Sequence, residues 1–248
     1  MPRATYASVL IIGLFYMFTS WLMVNGEGVD KLVPTLQGLK DPTTFLFALA
    51  ERYVGPWITI VMNVLFVSSL FAGVLAFHNG VARYMYVAGR EGLLPSSIGV
   101  THPVFHSPHV ASIVQTVIAV IVVAIFAFLG LDPVLAQFSW LTNVATLAII
   151  LLMASTAFSI VVFFTRNPGL ESNPVVTKVL PVLTGVVLLA LVYYIAVNFG
   201  DLAGASGALA IFLPCLVLIA AVIGILSAIR LKAANPAAFS RLGATQVE

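Results

Sequence analysis

A chain of 248 residues, 61% of them hydrophobic and 8% charged, is too apolar for water. Soluble domains carry about 25% charged residues, and this much apolar surface would leave large exposed patches. The formal charge of +2 rests on scattered basic residues and offers nucleic acid no face, while the single cysteine, Cys215, excludes an intrachain disulfide.

Six apolar runs are each long enough to cross about 30 Å of hydrocarbon as a helix. In chain order they are 6–24, 54–82, 110–129, 134–164, 179–199 and 208–229. The first has only Arg3 ahead of it and no small-residue cleavage pattern before Asn25, so it reads as a span rather than a signal peptide. The second and fourth exceed what a bilayer needs and should tilt or continue as helix beyond it. Pro181 falls in the first turn of the fifth span, where a missing N–H is harmless, and Pro214 inside the sixth, where it should bend the helix. The expected fold is an all-α, polytopic transmembrane helix bundle.

Basic residues set the orientation. Arg3, Arg83, Arg90, Arg166, Lys178, Arg230, Lys232 and Arg241 fall on one side, and Lys31, Lys40 and Arg52 on the other. Both termini, with the tail 230–248, are therefore expected in the cytoplasm, and the segments 25–53, 130–133 and 200–207 outside. Within the long outer segment, Val29–Leu39 and Pro42–Tyr53 are apolar enough for short surface helices. Asp41-Pro42 reads as an N-cap followed by proline at the first helical position. The pair would pack on the outer face or act as a lid.

Polar side chains concentrate in two spans. In the fourth, Ser139, Thr142, Asn143 and Thr146 recur at helical spacing and form one stripe. Such a stripe in hydrocarbon needs partners, which are either neighbouring helices or a hydrated cavity. Ser155 and Ser159, one turn apart, can bond their own backbone. The second span carries Asn63, Ser68, Ser69, His78 and Asn79, with a track of small residues along Ser69, Gly73, Ala76 and Gly80. Small residues let another backbone approach closely, so this helix is expected to be central and gripped by others. His78 is the ionisable group nearest a span interior. It has either an interfacial, structural role or a part in coupling transport to an ion.

No Asp, Glu, Lys or Arg lies deep in a span, and no HExxH, GxSxG or phosphate-cradling glycine loop occurs. An enzyme and a bound cofactor are not expected. His102, His106 and His109 cluster on a proline-containing loop without a neighbouring Cys or carboxylate, so no metal site is expected there either.

The most distinctive segment runs from Ala82 to Pro95, reading ARYMYVAGREGLLP, followed by Ser107-Pro108. Arg83 and Arg90 lie two turns apart and can reach headgroups. Gly92 suits a helix C-cap, and Pro95 discourages continuation. The segment resembles the inner loop after the eighth helix of amino acid–polyamine–organocation (APC superfamily) permeases, and Pro2-Arg3-Ala4 looks like the approach to their seventh helix. The resemblance covers the chain as helices seven to twelve.

That resemblance implies a partial inverted-repeat fold, in which two five-helix repeats and two peripheral helices surround a midplane site. The second and fourth spans would be cavity-lining helices eight and ten, and the fifth and sixth the peripheral pair. It implies a multi-pass protein of the cytoplasmic membrane that moves amino acids or related amines. Phe77, Ser139, Thr142 and Asn143 would contact substrate, and Ser68, Ser69 and His78 would serve an ion or coupling site. Arg83, Arg90, Glu91, Gly92 and Pro95 would form the cytoplasmic loop motif, for closure or anchoring. The family's first and sixth helices, which hold the substrate's amine and carboxylate, have no counterpart here. The chain is thus expected to be a fragment, with the missing N-terminal half or partner helices as its complement. The alternative is a non-transporting membrane subunit or scaffold.

Overall fold

Apolar segments without water must close their backbone hydrogen bonds internally, and helix is the way one chain does so locally. The computed structural model describes residues 2–39, 41, 43–170, 173–240 and 242, and the regular structure among them is helical. Ten α-helices occur there: α1 (Pro2–Glu27), α2 (Val29–Gly38), α3 (Thr44–Val54), α4 (Trp57–Arg90), α5 (His109–Phe128), α6 (Ser139–Arg166), α7 (Leu180–Val197), α8 (Phe199–Ala203), α9 (Ala208–Ala234) and α10 (Pro236–Phe239). Wider π-type turns, Pro133–Phe138 and Val175–Val179, lead into α6 and α7. Six helical stretches are long and apolar enough to cross a membrane, carried by α1, α4, α5, α6, α7 and α9. The protein is a polytopic membrane helix bundle. Lys40, Pro42 and Arg241 lie outside the described residues.

At 1.5 Å per residue, the 34 residues of α4 span about 51 Å, well beyond about 30 Å of hydrocarbon. A helix of that length must tilt in the membrane or continue beyond it. Pro214 sits inside α9 and Pro181 near the start of α7.

Two compact units divide the chain, Met1–Phe77 and His78–Glu248. In the first, the segment after α1 folds back on it. The Tyr53 hydroxyl donates to the Gly26 carbonyl at 2.7 Å, and Arg52 pairs with Glu27 at 3.5 Å. Thr35 donates to the same Glu27 carboxylate at 2.8 Å. Phe45 is buried, and Phe47 meets Phe66 edge-on at 6.0 Å. The start of α3 differs from expectation. Asp41 accepts from both the amide and the hydroxyl of Thr43, at 2.9 and 2.6 Å, while Thr43 holds the cap position itself. Those two bonds hold the Asp41 carboxyl below its ordinary value of 3.8.

In the second unit, Asp132 caps the π turn by accepting from the amides of Val134 and Leu135 at 2.8 and 2.7 Å, with Pro133 behind it. α7 lies against α6 so closely that a Cβ at Gly185 would sit 2.7 Å from the tip of the Phe158 ring. The core is small. Phe199 and Ala203 of α8 are buried with Ala205 and Leu213, and Trp140 and Val144 of α6 pack against them. The segment 200–207, read from sequence as a loop, thus begins inside a short helix. α8 persists because Phe199 and Ala203 are buried, and Gly204 ends it with a left-handed φ of 67°.

The small-residue face of the second span is open at two of its positions. Nothing lies within 4 Å of a Cβ built at Gly73 or Gly80. Near the end of α4, Ala82 and Gly89 are buried.

Candidate functional site

Most polar side chains in the spans are satisfied by their own helix. Ser8, Thr19, Ser68, Thr116, Thr146, Ser155, Ser159 and Ser227 each donate to a carbonyl three or four residues back. This habit is the cheapest solution for a hydroxyl in hydrocarbon. The informative bonds are those that leave the helix.

On α6, the polar stripe splits in two. Ser139 donates to the Ala203 carbonyl at 2.9 Å, and the Asn143 amide donates to Ser139 at 2.9 Å and to Leu202 at 3.5 Å. Both side chains are half-buried, and both engage carbonyls at the C-terminal end of α8, where a helix leaves acceptors unsatisfied. Thr142 and Thr146, one position away on each turn, are exposed. The structure brings Ser139 and Asn143 together as an interhelical tether and leaves Thr142 beside them on an open face.

On α4, Ser68 bonds the Leu65 carbonyl at 3.0 Å. Ser69 lines an apolar cleft of about 860 Å³ with Phe15, Phe45 and Phe66. Phe77 is 73% exposed. The half-buried His78 makes a 2.7 Å hydrogen bond through Nε2 to the Ser112 hydroxyl of α5. Ser112 went unnoticed in the sequence, although its place just after Ser107-Pro108 puts it in the first turn of the next helix.

The basic motif closes α4 with a Schellman arrangement. Gly92 adopts φ 82°, its amide donates to Gly89 at 3.3 Å, and the Leu93 amide reaches Ala88 at 2.9 Å. Arg90 donates to the Tyr86 hydroxyl at 3.3 Å and stacks over its ring at 5.8 Å. Arg83 is exposed, and Pro95 precedes a 3-10 turn, Ser96–Gly99. That turn lies directly on α4: a Cβ at Gly89 would be 2.6 Å from the Gly99 nitrogen. Gly89 is a close-packed residue of the motif that sequence reading passed over. Its signal was a glycine in the last turn of a helix that already had a capping glycine three residues later.

Beyond the turn, His102 organises its loop. Its Nδ1 accepts from the amides of Val104 and Phe105 at 3.2 and 3.3 Å, and its ring meets that of His109 at 5.3 Å. Committed in this way, its Nδ1 is not offered to a metal.

Among the described residues, six membrane-length apolar helices, hydroxyls turned back on their own backbones and a polar minority tethering helices together define a multi-pass membrane protein. The family model for amino acid permeases matches residues 1–223, and the chain belongs to that family. Permeases are transporters rather than enzymes. The chain is similar to the low-affinity putrescine importer PlaP of Escherichia coli K12, with 27% identity over 124 residues, and equally to that of Escherichia coli O157:H7. The matched segment covers 50% of this chain and 26% of each importer. No solved structure matches.

Proposed function

We propose that these helices form part of a secondary active transporter that carries amino acids or related amines across the cytoplasmic membrane. The family match over residues 1–223 carries this reading. The similarity to putrescine importers favours an amine-bearing substrate. The skewed distribution of basic residues argues for cytoplasmic termini. In this reading Thr142 faces the substrate path, and Ser139 and Asn143 hold the wall of that path to α8. Phe77 packs against substrate, and Ser68, Ser69 and His78 serve an ion or coupling step. The open track at Gly73 and Gly80 on α4 receives helices of a complementary half.

The same open track suits a scaffold that binds partner helices without transporting. Uptake separates the two. Cells making the product of the whole reading frame that contains this chain are expected to accumulate radiolabelled amino acids or putrescine saturably. Cells with the frame deleted should not. A product present in the membrane that moves none of these substrates would overturn the transporter reading in favour of the scaffold.

A further inference from the structure

Where α4 ends and α5 begins, the second unit holds a polar cleft of about 800 Å³. Asn79, Arg83 and Tyr86 line it from α4, His106 and Ser107 from the loop, and His109 from α5. No Asp or Glu is among its described lining residues. The chemistry is therefore rich in donors and carries positive charge without a compensating carboxylate. Guanidinium, amide, imidazole and hydroxyl groups arriving from different directions match an anion with several oxygens, such as a phosphate group.

The cleft is built before any ligand arrives. One wall is fixed to the other by the His78–Ser112 bond, and Ser112 itself lines the cleft. The loop is closed on itself, since the His102 amide donates to Ser107 at 2.8 Å and the His106 amide to His102 at 2.9 Å. His106 is held at φ 50°, a left-handed conformation that an L residue rarely adopts without such constraint.

We propose that this cleft binds a phosphate-bearing anion, with Arg83 as its principal charge and Asn79 and His109 as donors. Two sources offer that chemistry: the headgroup of an anionic phospholipid, and free phosphate. Val104 and Phe105 on the same loop are 71% and 76% exposed, an apolar tip beside a cationic cleft that suits the membrane surface.

The test uses the full chain purified in neutral detergent and titrated with three probes: phosphatidylglycerol in mixed micelles, phosphatidylcholine in the same micelles, and inorganic phosphate. Binding of phosphatidylglycerol but not phosphatidylcholine is expected. Arg83→Gln should weaken it about tenfold, the equivalent of one charge-assisted hydrogen bond, and Asn79→Ala should weaken it severalfold. Arg166→Gln, which removes an exposed charge from the end of α6, should leave it unchanged, and circular dichroism verifies that each variant is folded. Arg83-dependent binding of inorganic phosphate alone would assign the same site to the free anion. Equal losses in Arg83→Gln and Arg166→Gln would reduce the effect to net charge and overturn the proposal. So would no loss in Arg83→Gln and Asn79→Ala, or failure of phosphatidylglycerol and phosphate alike to bind.

Discussion

Gly89→Ala should detach the turn that follows α4, and its effect can be worked from distances. An ideal Cβ at position 89 would lie 2.6 Å from the Gly99 nitrogen and 3.1 Å from both the Gly99 Cα and the Ile98 carbonyl carbon. Real Cβ atoms essentially never approach within 3.0 Å, and here the obstacle is backbone rather than the far end of a side chain. The turn must therefore move by several tenths of an ångström. Overpacking of this kind costs about 1–3 kcal/mol, while replacing glycine by alanine within a helix returns about 1 kcal/mol. The net loss, up to about 2 kcal/mol, should fall on residues 88–99. Hydrogen exchange would read it as roughly tenfold lower protection of the Leu93 and Leu94 amides, both of which bond to the Ala88 carbonyl. Gly80→Ala supplies the control. It lies in the same helix with nothing within 4 Å of its Cβ, so the helical gain should stand alone and stability should hold or rise. Gly99→Ala meets the same contact from the other side, 2.7 Å from the Arg90 nitrogen. The double variant should then cost less than the two singles summed. If Gly89→Ala proved as neutral as Gly80→Ala, the close contact between α4 and the 96–99 turn would be wrong.

Three further outcomes are expected. Ser139→Ala and Asn143→Ala should each lower thermal stability in detergent by about 0.6–1.7 kcal/mol, the range for interhelical hydrogen bonds in membranes. Thr142→Ala should leave stability alone and change only substrate affinity in an uptake assay; the reverse pattern would refute the split of the α6 stripe. Gly185→Ala should cost no more than about 2 kcal/mol, overpacking of about 1–3 less a helical gain of about 1, because its Cβ would meet the tip of the Phe158 ring at 2.7 Å, and Phe158→Leu should relieve much of that cost when the two are combined. Asp41, whose pKa is lowered by its bonds to Thr43, contributes local stability that is present above its ordinary value of 3.8 and is lost as pH falls through the lowered folded value. Thr43→Ala should move the Asp41 titration upward in a carbon-detected NMR experiment, and an unmoved titration would refute the assignment of cause.

The amino-acid sequence by itself determined that the chain lives in a bilayer and crosses it as helices. Hydrocarbon leaves a backbone no alternative to internal hydrogen bonds, so hydropathy along the chain is enough to read six long helices. The loop motif was equally legible, because Gly92 and Pro95 act on their own neighbours through local backbone geometry. What tertiary structure alone decided is which polar groups turn inward to their own helix and which reach across. Ser139, Asn143, Ser155 and Ser159 look alike in a helical projection, yet the first two bond α8 and the last two bond themselves. Periodicity records a residue's angular position on its helix and says nothing of what stands opposite. The same limit hid α8, which is held by the burial of Phe199 and Ala203, and the contact of Gly89 with Gly99. It also left open what the small-residue track of α4 meets. A track of small residues shows that another helix could approach, but only the packed chain shows whether one does.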